Sequence, residues 1–159
     1  MVKLFRKFIY FMIFGMVFLA IAAIPDNPPA NAGQQDSAAV NPEIPATGHV
    51  IVVTYFHNTI RCPTCHRIEN LSDQAIHSHF SKGLLSGKLI WRVVNVDEPQ
   101  NEHYNTDYQL YTKSLIVSEV KDGKEVRWKN LEKIWTLVGD ENQFDNYVQT
   151  EIADWLKAP

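Results

Sequence analysis

The chain has 159 residues, a formal net charge of −3 and 45 % hydrophobic residues. This length suits one domain with a leader or tether. The balance of 15 basic and 18 acidic residues provides no basic surface of the kind that binds nucleic acid, so we expect no nucleic-acid partner.

The first 32 residues predict a signal peptide or an N-terminal membrane anchor. Three basic residues precede the uncharged apolar run Phe8–Ile24, which is the arrangement of a secretory signal. A small-residue site at 30–32 favours cleavage before Gly33. The alternative is an uncleaved membrane anchor. A helix over 8–24 would rise about 25 Å, which is slightly less than the thickness of the hydrocarbon core of a bilayer, about 30 Å.

Both interpretations of this segment place the rest of the chain outside the cytoplasm. The basic residues that flank an apolar span stay on the cytoplasmic side. We therefore expect a location in the periplasm or on the outer face of the cytoplasmic membrane, either secreted or anchored.

Residues 33–48 predict a flexible linker or mature N-terminal tail. The segment is rich in Pro, Asn, Ala and Gln and has few large apolar side chains. Such a composition buries too little surface to offset the entropy of ordering. The globular domain is expected over residues 49–159.

The domain is expected to begin with a strand that leads into a helix. His49–Phe56 is β-branched and aromatic with a continuous apolar centre, which predicts a central strand covered on both faces. A helix is expected from Cys62, because apolar side chains recur at spacings of three and four as far as Phe80. Pro63 lies in its first turn, where the missing N–H costs nothing.

A second strand and a short helix are expected next. Lys88–Val96 predicts another buried strand, and Glu102–Leu110 predicts a short helix. Two strands joined through a helix predict a β-α-β unit with parallel strands.

The remaining segments predict a hairpin and a closing helix. Ser114–Val120 and Glu125–Trp128 flank Asp122-Gly123, and Asp-Gly between two such runs is a strong hairpin signal. Asp140 is expected to cap a last helix with one apolar face.

The resulting order is β-α-β-α-β-β-α, and Cys-x-x-Cys opens the first helix after the first strand. This pattern resembles the thioredoxin fold. The resemblance covers Val50–Leu156 and implies an α/β domain with a central mixed sheet and flanking helices.

The chain contains two cysteines, Cys62 and Cys65. A thiol at a helix N-terminus faces unpaired N–H groups and the positive end of the helix dipole. Its pKa is therefore expected below the free value of about 8.5. The second thiol lies on the same helical face and can attack a mixed disulfide formed by the first. We predict Cys62 as the catalytic nucleophile and Cys65 as the resolving thiol, acting on a protein disulfide without a cofactor.

Three other uses of the cysteines stay open. A static disulfide would close a very short loop, which restrains the unfolded chain least. A copper or zinc carrier or binding module would use the pair with His57, His66 or His103. Cys62–His66 also matches the C-x-x-C-H signature of c-type haem, but no methionine follows Met16 to serve as an axial ligand.

The side chains around the motif depart from the thioredoxin pattern. Three basic residues near the cysteines, namely His57, His66 and Arg67, are interpreted as solvated surface. Thioredoxin-like oxidoreductases usually carry a cis-proline before the hairpin, whereas Tyr111–Ser114 has no proline, so a trans loop is expected. The first strand has no acid behind the cysteines. These departures favour a dedicated partner over a general reductase.

Three segments, IRCPTCHRIE, WRVVNVDEPQNEHY and DYQLYTKSLIVSE, resemble a narrower group. They are similar to the nitrophenyl compound nitroreductase subunit (ArsF) family, which is associated with resistance to aromatic arsenicals. The resemblance implies an accessory redox subunit that receives electrons from a membrane thiol reductase or permease similar to cytochrome c biogenesis proteins. The residues show no flavin or nucleotide motif, so they do not themselves indicate nitro-group chemistry.

Overall fold

The computed structural model describes residues 41–157. The predicted leader, 1–32, and the first part of the predicted linker, 33–40, lie outside the described residues. Within 41–157, no helix combines the length and the apolar character needed to cross a membrane.

Four strands form the centre of the domain. They are β1 (His49–His57), β2 (Leu89–Asn95), β3 (Ser114–Lys121) and β4 (Lys124–Asn130). The sheet order is β2-β1-β3-β4, with β1 parallel to β2 and antiparallel to β3, and β3 antiparallel to β4. The prediction of a central, fully buried first strand is confirmed, since Val50–Phe56 are all buried.

Four α-helices occur between residues 41 and 157. They are α1 (Pro63–Leu85), α2 (Tyr104–Asp107), α3 (Ile134–Leu137) and α4 (Glu141–Lys157). The apolar faces of α1 and α4 pack on one face of the sheet and form the main core. The largest fully buried side chains of that core include Tyr55, Phe144, Ile51, Ile68, Ile76 and Ile152.

The predicted helix Glu102–Leu110 is only partly confirmed. A 3-10 turn at Pro99–Asn101 precedes α2, and α2 ends at Asp107. Gln109 has a left-handed φ of 52°, and the N–H of Leu110 donates to the carbonyl of Asn105 at 3.0 Å. This is the Schellman arrangement that terminates a helix, so the backbone leaves the helix before Leu110.

The second face of the sheet carries two smaller apolar clusters. One joins Phe56 and neighbouring strand residues to Tyr104 of α2 and to Tyr108, the residue that follows α2. The other joins Val50 and Val52 of β1 to Ile44, which precedes the sheet. This face is therefore covered by α2 and by residues 41–48 rather than by a long helix in the described part of the chain.

Residues 41–48, the described part of the predicted linker, make specific contacts with the domain. The Asn41 side chain donates to the carbonyl of Val93 at 2.8 Å and accepts its N–H at 3.0 Å. The N–H of Gly48 donates to the Asp122 carboxylate at 2.9 Å. These bonds join the segment to the edge strand β2 and to the β3–β4 turn.

The predicted hairpin is confirmed. Its turn residues, Asp122 and Gly123, have φ of 49° and 71°, the left-handed values that a two-residue type I′ turn requires. A Cβ on Gly123 would lie 3.2 Å from the carbonyl oxygen of Ala46, so glycine is also needed for this close approach.

The element order confirms the predicted β-α-β-α-β-β-α pattern, with α3 as an addition. The chain has a thioredoxin-like fold: a mixed sheet with helices, in which β1 leads directly into the cysteine-bearing helix. The helix cap predicted at Asp140 is also present, because its carboxylate accepts the N–H of Gln143 at 3.1 Å.

Candidate functional site

The two cysteines lie at the start of α1, as predicted. Cys62 is the N-cap residue, with extended backbone angles (φ −86°, ψ 161°), and Pro63 is the first helical residue. The Sγ of Cys62 accepts the N–H of Cys65 at 3.1 Å, and its carbonyl oxygen accepts the N–H of His66 at 3.1 Å. The sulfur thus takes the place of the side-chain oxygen that usually caps a helix.

A disulfide joins Cys62 to Cys65, whose Cα atoms are 5.0 Å apart. The two residues differ in exposure: Cys62 is exposed, whereas Cys65 is only 2 % exposed. A large molecule can therefore approach the sulfur of Cys62 from solvent but not that of Cys65. This difference is the one expected for an attacking and a resolving thiol.

Tyr55 of β1 holds the backbone of the buried cysteine. Its hydroxyl donates to the carbonyl oxygen of Cys65 at 2.8 Å, and this bond is buried. Burial raises the pKa of Tyr55 to about 12, against the opposing charge of Arg61, so the hydroxyl keeps its proton and remains a donor near neutral pH. The sequence pattern indicated Tyr55 only as a polar residue in the strand.

An ion pair between Arg61 and Glu69 flanks the disulfide. Both side chains are largely buried, with exposed fractions of 17 % and 23 %. Arg61 directly precedes Cys62, and Glu69 lies one helical turn after Cys65, on the same face of α1. Burial lowers the pKa of Arg61, opposed by the charge of Tyr55, but a guanidinium stays charged in proteins.

The Arg61–Glu69 pair was not predicted. The only signal in the sequence is the spacing of four residues between Cys65 and Glu69, which places the two residues on the same face of the helix. Contact with Arg61 depends on how the connector after β1 folds back, and no local pattern encodes that path.

The surface prediction is wrong for His57 and confirmed for the other two basic residues. His57 is half-buried at the end of β1, and its Nδ1 lies 2.9 Å from the carbonyl oxygen of Asn58. Burial lowers the pKa of His57, so the ring is neutral near pH 7. His66 is exposed, and exposed Arg67 donates to Glu141 at 3.0 Å.

The Asp97 carboxylate fixes the connector that carries the motif. It accepts the side-chain amide of Asn58 and the backbone N–H of Thr59, both at 2.7 Å. The hydrogen bond from the Asn58 side chain is the main cause that lowers the pKa of Asp97. The connector between β1 and α1 is thereby tied to the loop that follows β2.

The loop that precedes β3 lies at the same end of the sheet as the motif. Phe56 at the end of β1 pairs with Ser114 at the start of β3. Trp135 of α3 donates its indole N–H to the carbonyl oxygen of Lys113 at 3.0 Å. No cis peptide bond occurs among residues 41–157, as expected for a loop without proline, and Tyr111 is 94 % exposed beside it.

The described residues give no support to a metal site at this position. Within 41–157, no group of three or more His, Cys, Asp or Glu residues is arranged to hold a metal ion. Both cysteine sulfurs are bonded to each other in the disulfide.

Comparison with known proteins yields similar solved structures only. No protein-family model matches the chain, and no curated protein matches it, so the narrower resemblance to the nitrophenyl compound nitroreductase subunit family gains no support from them.

Three similar solved structures illustrate the likeness. The thioredoxin of Fasciola hepatica is 20 % identical to this chain and has a TM-score of 0.38. The matched region spans 66 % of this chain and 83 % of that thioredoxin. A malarial protein is 14 % identical and has a TM-score of 0.35. The matched region spans 58 % of this chain and 97 % of the malarial protein. A mutant thioredoxin of Entamoeba histolytica is 20 % identical and has a TM-score of 0.35. The matched region spans 66 % of this chain and 85 % of that thioredoxin. The fold assignment depends on the strand order and connectivity described above and not on these three structures.

Proposed function

We propose that the chain is a thiol–disulfide oxidoreductase in which Cys62 is the catalytic nucleophile and Cys65 the resolving thiol. The observation that carries this proposal is the pairing of an exposed with a buried cysteine in one disulfide at the N-terminus of a 23-residue helix. After reduction, the N–H of Cys65 and the helix dipole stabilise a thiolate at Cys62.

The reaction proceeds by two exchanges of sulfur partners. The Cys62 thiolate attacks one sulfur of a substrate disulfide, forms a mixed disulfide and releases the other substrate sulfur as a thiolate, which takes a proton from solvent. The Cys65 thiol then loses its proton and attacks the Sγ of Cys62, which releases the second substrate thiol. The substrate gains two electrons, and the protein returns to the Cys62–Cys65 disulfide.

Turnover requires a reductant for that disulfide. The exposed sulfur of Cys62 is the point at which a donor dithiol can attack. We propose a membrane thiol reductase or permease as the donor, on the basis of the segments that resemble the nitrophenyl compound nitroreductase subunit family. We also propose an extracytoplasmic location for this domain, on the basis of the apolar run at residues 8–24. Cell fractionation with protease accessibility tests the location, and a domain protected together with cytoplasmic markers contradicts it.

The narrower role is an accessory subunit in nitroaromatic or arsenical reduction. It depends on the three segments that resemble the nitrophenyl compound nitroreductase subunit family. Cells that lack this chain should then lose resistance to an aromatic arsenical, and a Cys62→Ser copy should not restore it. Unchanged resistance would contradict this narrower role but would leave the proposed thiol–disulfide exchange unaffected.

Dithiothreitol-driven reduction of insulin by the full chain tests the core proposal. Wild type should accelerate the reaction, and Cys62→Ser should abolish the acceleration because no attacking sulfur remains. A Thr64→Ala variant, which changes an exposed residue between the cysteines, serves as the control and should retain activity. Equal rates for wild type and Cys62→Ser would overturn the proposal.

A further inference from the structure

The sheet face opposite α1 and α4 contains a cavity of about 580 Å³. Alternate residues of β1 point to opposite faces, so the residues that line the cavity are not those that contact α1. Tyr104 of α2 and Tyr108, which follows α2, form one wall, and Ile44 and Ala46 form another. The floor consists of strand side chains from Val52, Thr54, Phe56, Arg92, Ser118 and Val120.

Arg92 places a positive charge in this cavity that forms no ion pair with another described residue. It lies on β2 directly opposite Thr54 of β1 in the sheet register. Its Nε is buried and makes no hydrogen bond within the part of the chain that the structure describes, and no ion pair there includes it. A guanidinium stays charged in proteins, and a buried donor left unpaired costs about 1–3 kcal/mol.

The acidic residues at the rim are bound to other groups. Glu125 accepts the hydroxyl proton of Tyr108 at 2.5 Å, and Asp122 accepts the N–H of Gly48 at 2.9 Å. Lys124 beside them is exposed and adds a second positive charge. Both carboxylates keep their negative charge, because their donors are a hydroxyl and a backbone N–H. Neither carboxylate forms an ion pair with Arg92, so the guanidinium remains available to an anionic ligand.

The aromatic wall presents flat apolar surface next to this charge. The rings of Tyr104 and Tyr108 are nearly parallel, with an interplanar angle of 11° and centroids 5.8 Å apart. The Phe56 ring lies 5.0 Å from that of Tyr104. Such ring clusters favour stacked or edge-to-face contact with another aromatic ring, and ligand pockets typically combine such surface with a few placed polar groups.

We propose that this cavity binds a small aromatic carboxylate. The carboxylate pairs with the guanidinium fork of Arg92, whose planar geometry matches it, and the Thr54 hydroxyl lies beside the same position. The ring lies against Phe56, Tyr104 and Tyr108. The site is on the opposite side of the sheet from α1, so it is separate from the thiol chemistry.

Calorimetric titration of the oxidised full chain with 2-naphthoate tests the proposal. The neutral analogue 2-naphthamide should bind wild type about tenfold or more weakly, as expected for loss of a charge-assisted hydrogen bond. Arg92→Gln should weaken naphthoate to the level of the amide and leave the amide unchanged. Lys88→Gln removes an exposed charge on the same side of β2 and should leave both affinities unchanged.

Two outcomes of these affinity comparisons would overturn the proposal. One is equal binding of the acid and the amide by wild type, which needs no variant and is decisive even if Arg92→Gln does not fold. The other is an Arg92→Gln protein with a native circular dichroism spectrum that binds naphthoate as wild type does. Absence of naphthoate binding at millimolar concentration would also contradict it.

Discussion

Cys62 and Cys65 are separated by two residues and yet have opposite environments. Cys62 caps the helix from the solvent side, and Cys65 is covered by the core, where Tyr55 binds its carbonyl oxygen. Because an incoming disulfide needs access to the attacking sulfur, this difference in burial supports the roles that we propose for the two thiols.

The Arg61–Glu69 pair supplies a prediction about the reactivity of the reduced site. Arg61→Gln removes the positive charge next to Cys62 in the sequence and leaves the Glu69 carboxylate without its partner, which disfavours a thiolate. The pKa of the Cys62 thiol should rise, and its alkylation by iodoacetamide at pH 6 should slow about three- to tenfold.

Two further variants separate this charge effect from a structural one. The double variant Arg61→Gln/Glu69→Gln should return the alkylation rate toward that of wild type, since it removes both charges. Lys82→Gln, at the far end of α1, should not change the rate. The interpretation fails if the double variant alkylates as slowly as Arg61→Gln.

Glu119 of β3 gives a prediction for acid stability. Its side chain is 3 % exposed and contacts Lys121 at 2.9 Å and Arg127 at 2.5 Å. The hydrogen bonds from Lys121 and then from Arg127 lower the pKa of Glu119 from 4.5 to about 2. Glu119 is protonated more readily in the unfolded chain than in the folded one. The stabilisation that its charge gives the folded state is therefore complete above pH 4.5 and is lost as the pH falls to about 2.

Glu119→Gln should therefore be less stable than wild type at pH 7, and the difference should shrink between pH 4.5 and pH 2. Urea denaturation of both proteins at a series of pH values measures the difference between their free energies of unfolding. All other carboxyl groups titrate in both proteins, so their contributions cancel in that difference. Parallel stability profiles down to pH 2 would contradict the assignment.

At the scale of elements, the β3–β4 turn and residues 41–48 depend on each other. Gly123 and Gly87 have nearly the same φ, 71° and 69°. A Cβ added at Gly123 would contact the Ala46 carbonyl, whereas a Cβ added at Gly87 would have no atom within 4 Å. Alanine at Gly87 therefore introduces backbone strain alone, and alanine at Gly123 adds a clash with the preceding segment.

Gly87→Ala should lower the free energy of unfolding by about 1 kcal/mol, and Gly123→Ala by about 2–3 kcal/mol. Chemical denaturation of the two variants measures the difference. Equal losses would show that the contact between Ala46 and the turn is not maintained in solution, and that residues 41–48 behave as the flexible linker that their composition indicates.

For the whole molecule, the elements with strong local signals were predictable. The apolar runs at β1 and β2, the spacing along α1 and the Asp122-Gly123 turn determine their own conformations, because hydrophobic period and turn chemistry are local properties. The order of these elements then indicates the thioredoxin-like fold. The Schellman end of α2 carries no comparable signal, since Gln109 rather than glycine adopts the left-handed conformation.

The parts of the site that depend on distant contacts were not predictable. Glu119 is an ordinary polar residue in its strand, and its burial depends on contacts with Lys121, with Arg127 of β4 and with His49 of β1. The unpaired guanidinium of Arg92 likewise becomes visible only when the sheet register places it in a cavity. A single sequence reveals the cysteines because both fall in one local motif.

The most direct test of the account is the trapping of a mixed disulfide by the full chain. Reduced Cys65→Ser should form a covalent adduct with a disulfide-bonded substrate through Cys62, because the resolving attack is absent. The adduct should persist on a non-reducing gel and be mapped to Cys62 by mass spectrometry, while Cys62→Ser should form none. An adduct on Cys65 in Cys62→Ser, at a yield equal to that of Cys65→Ser, would contradict the assignment of Cys62 as the attacking thiol.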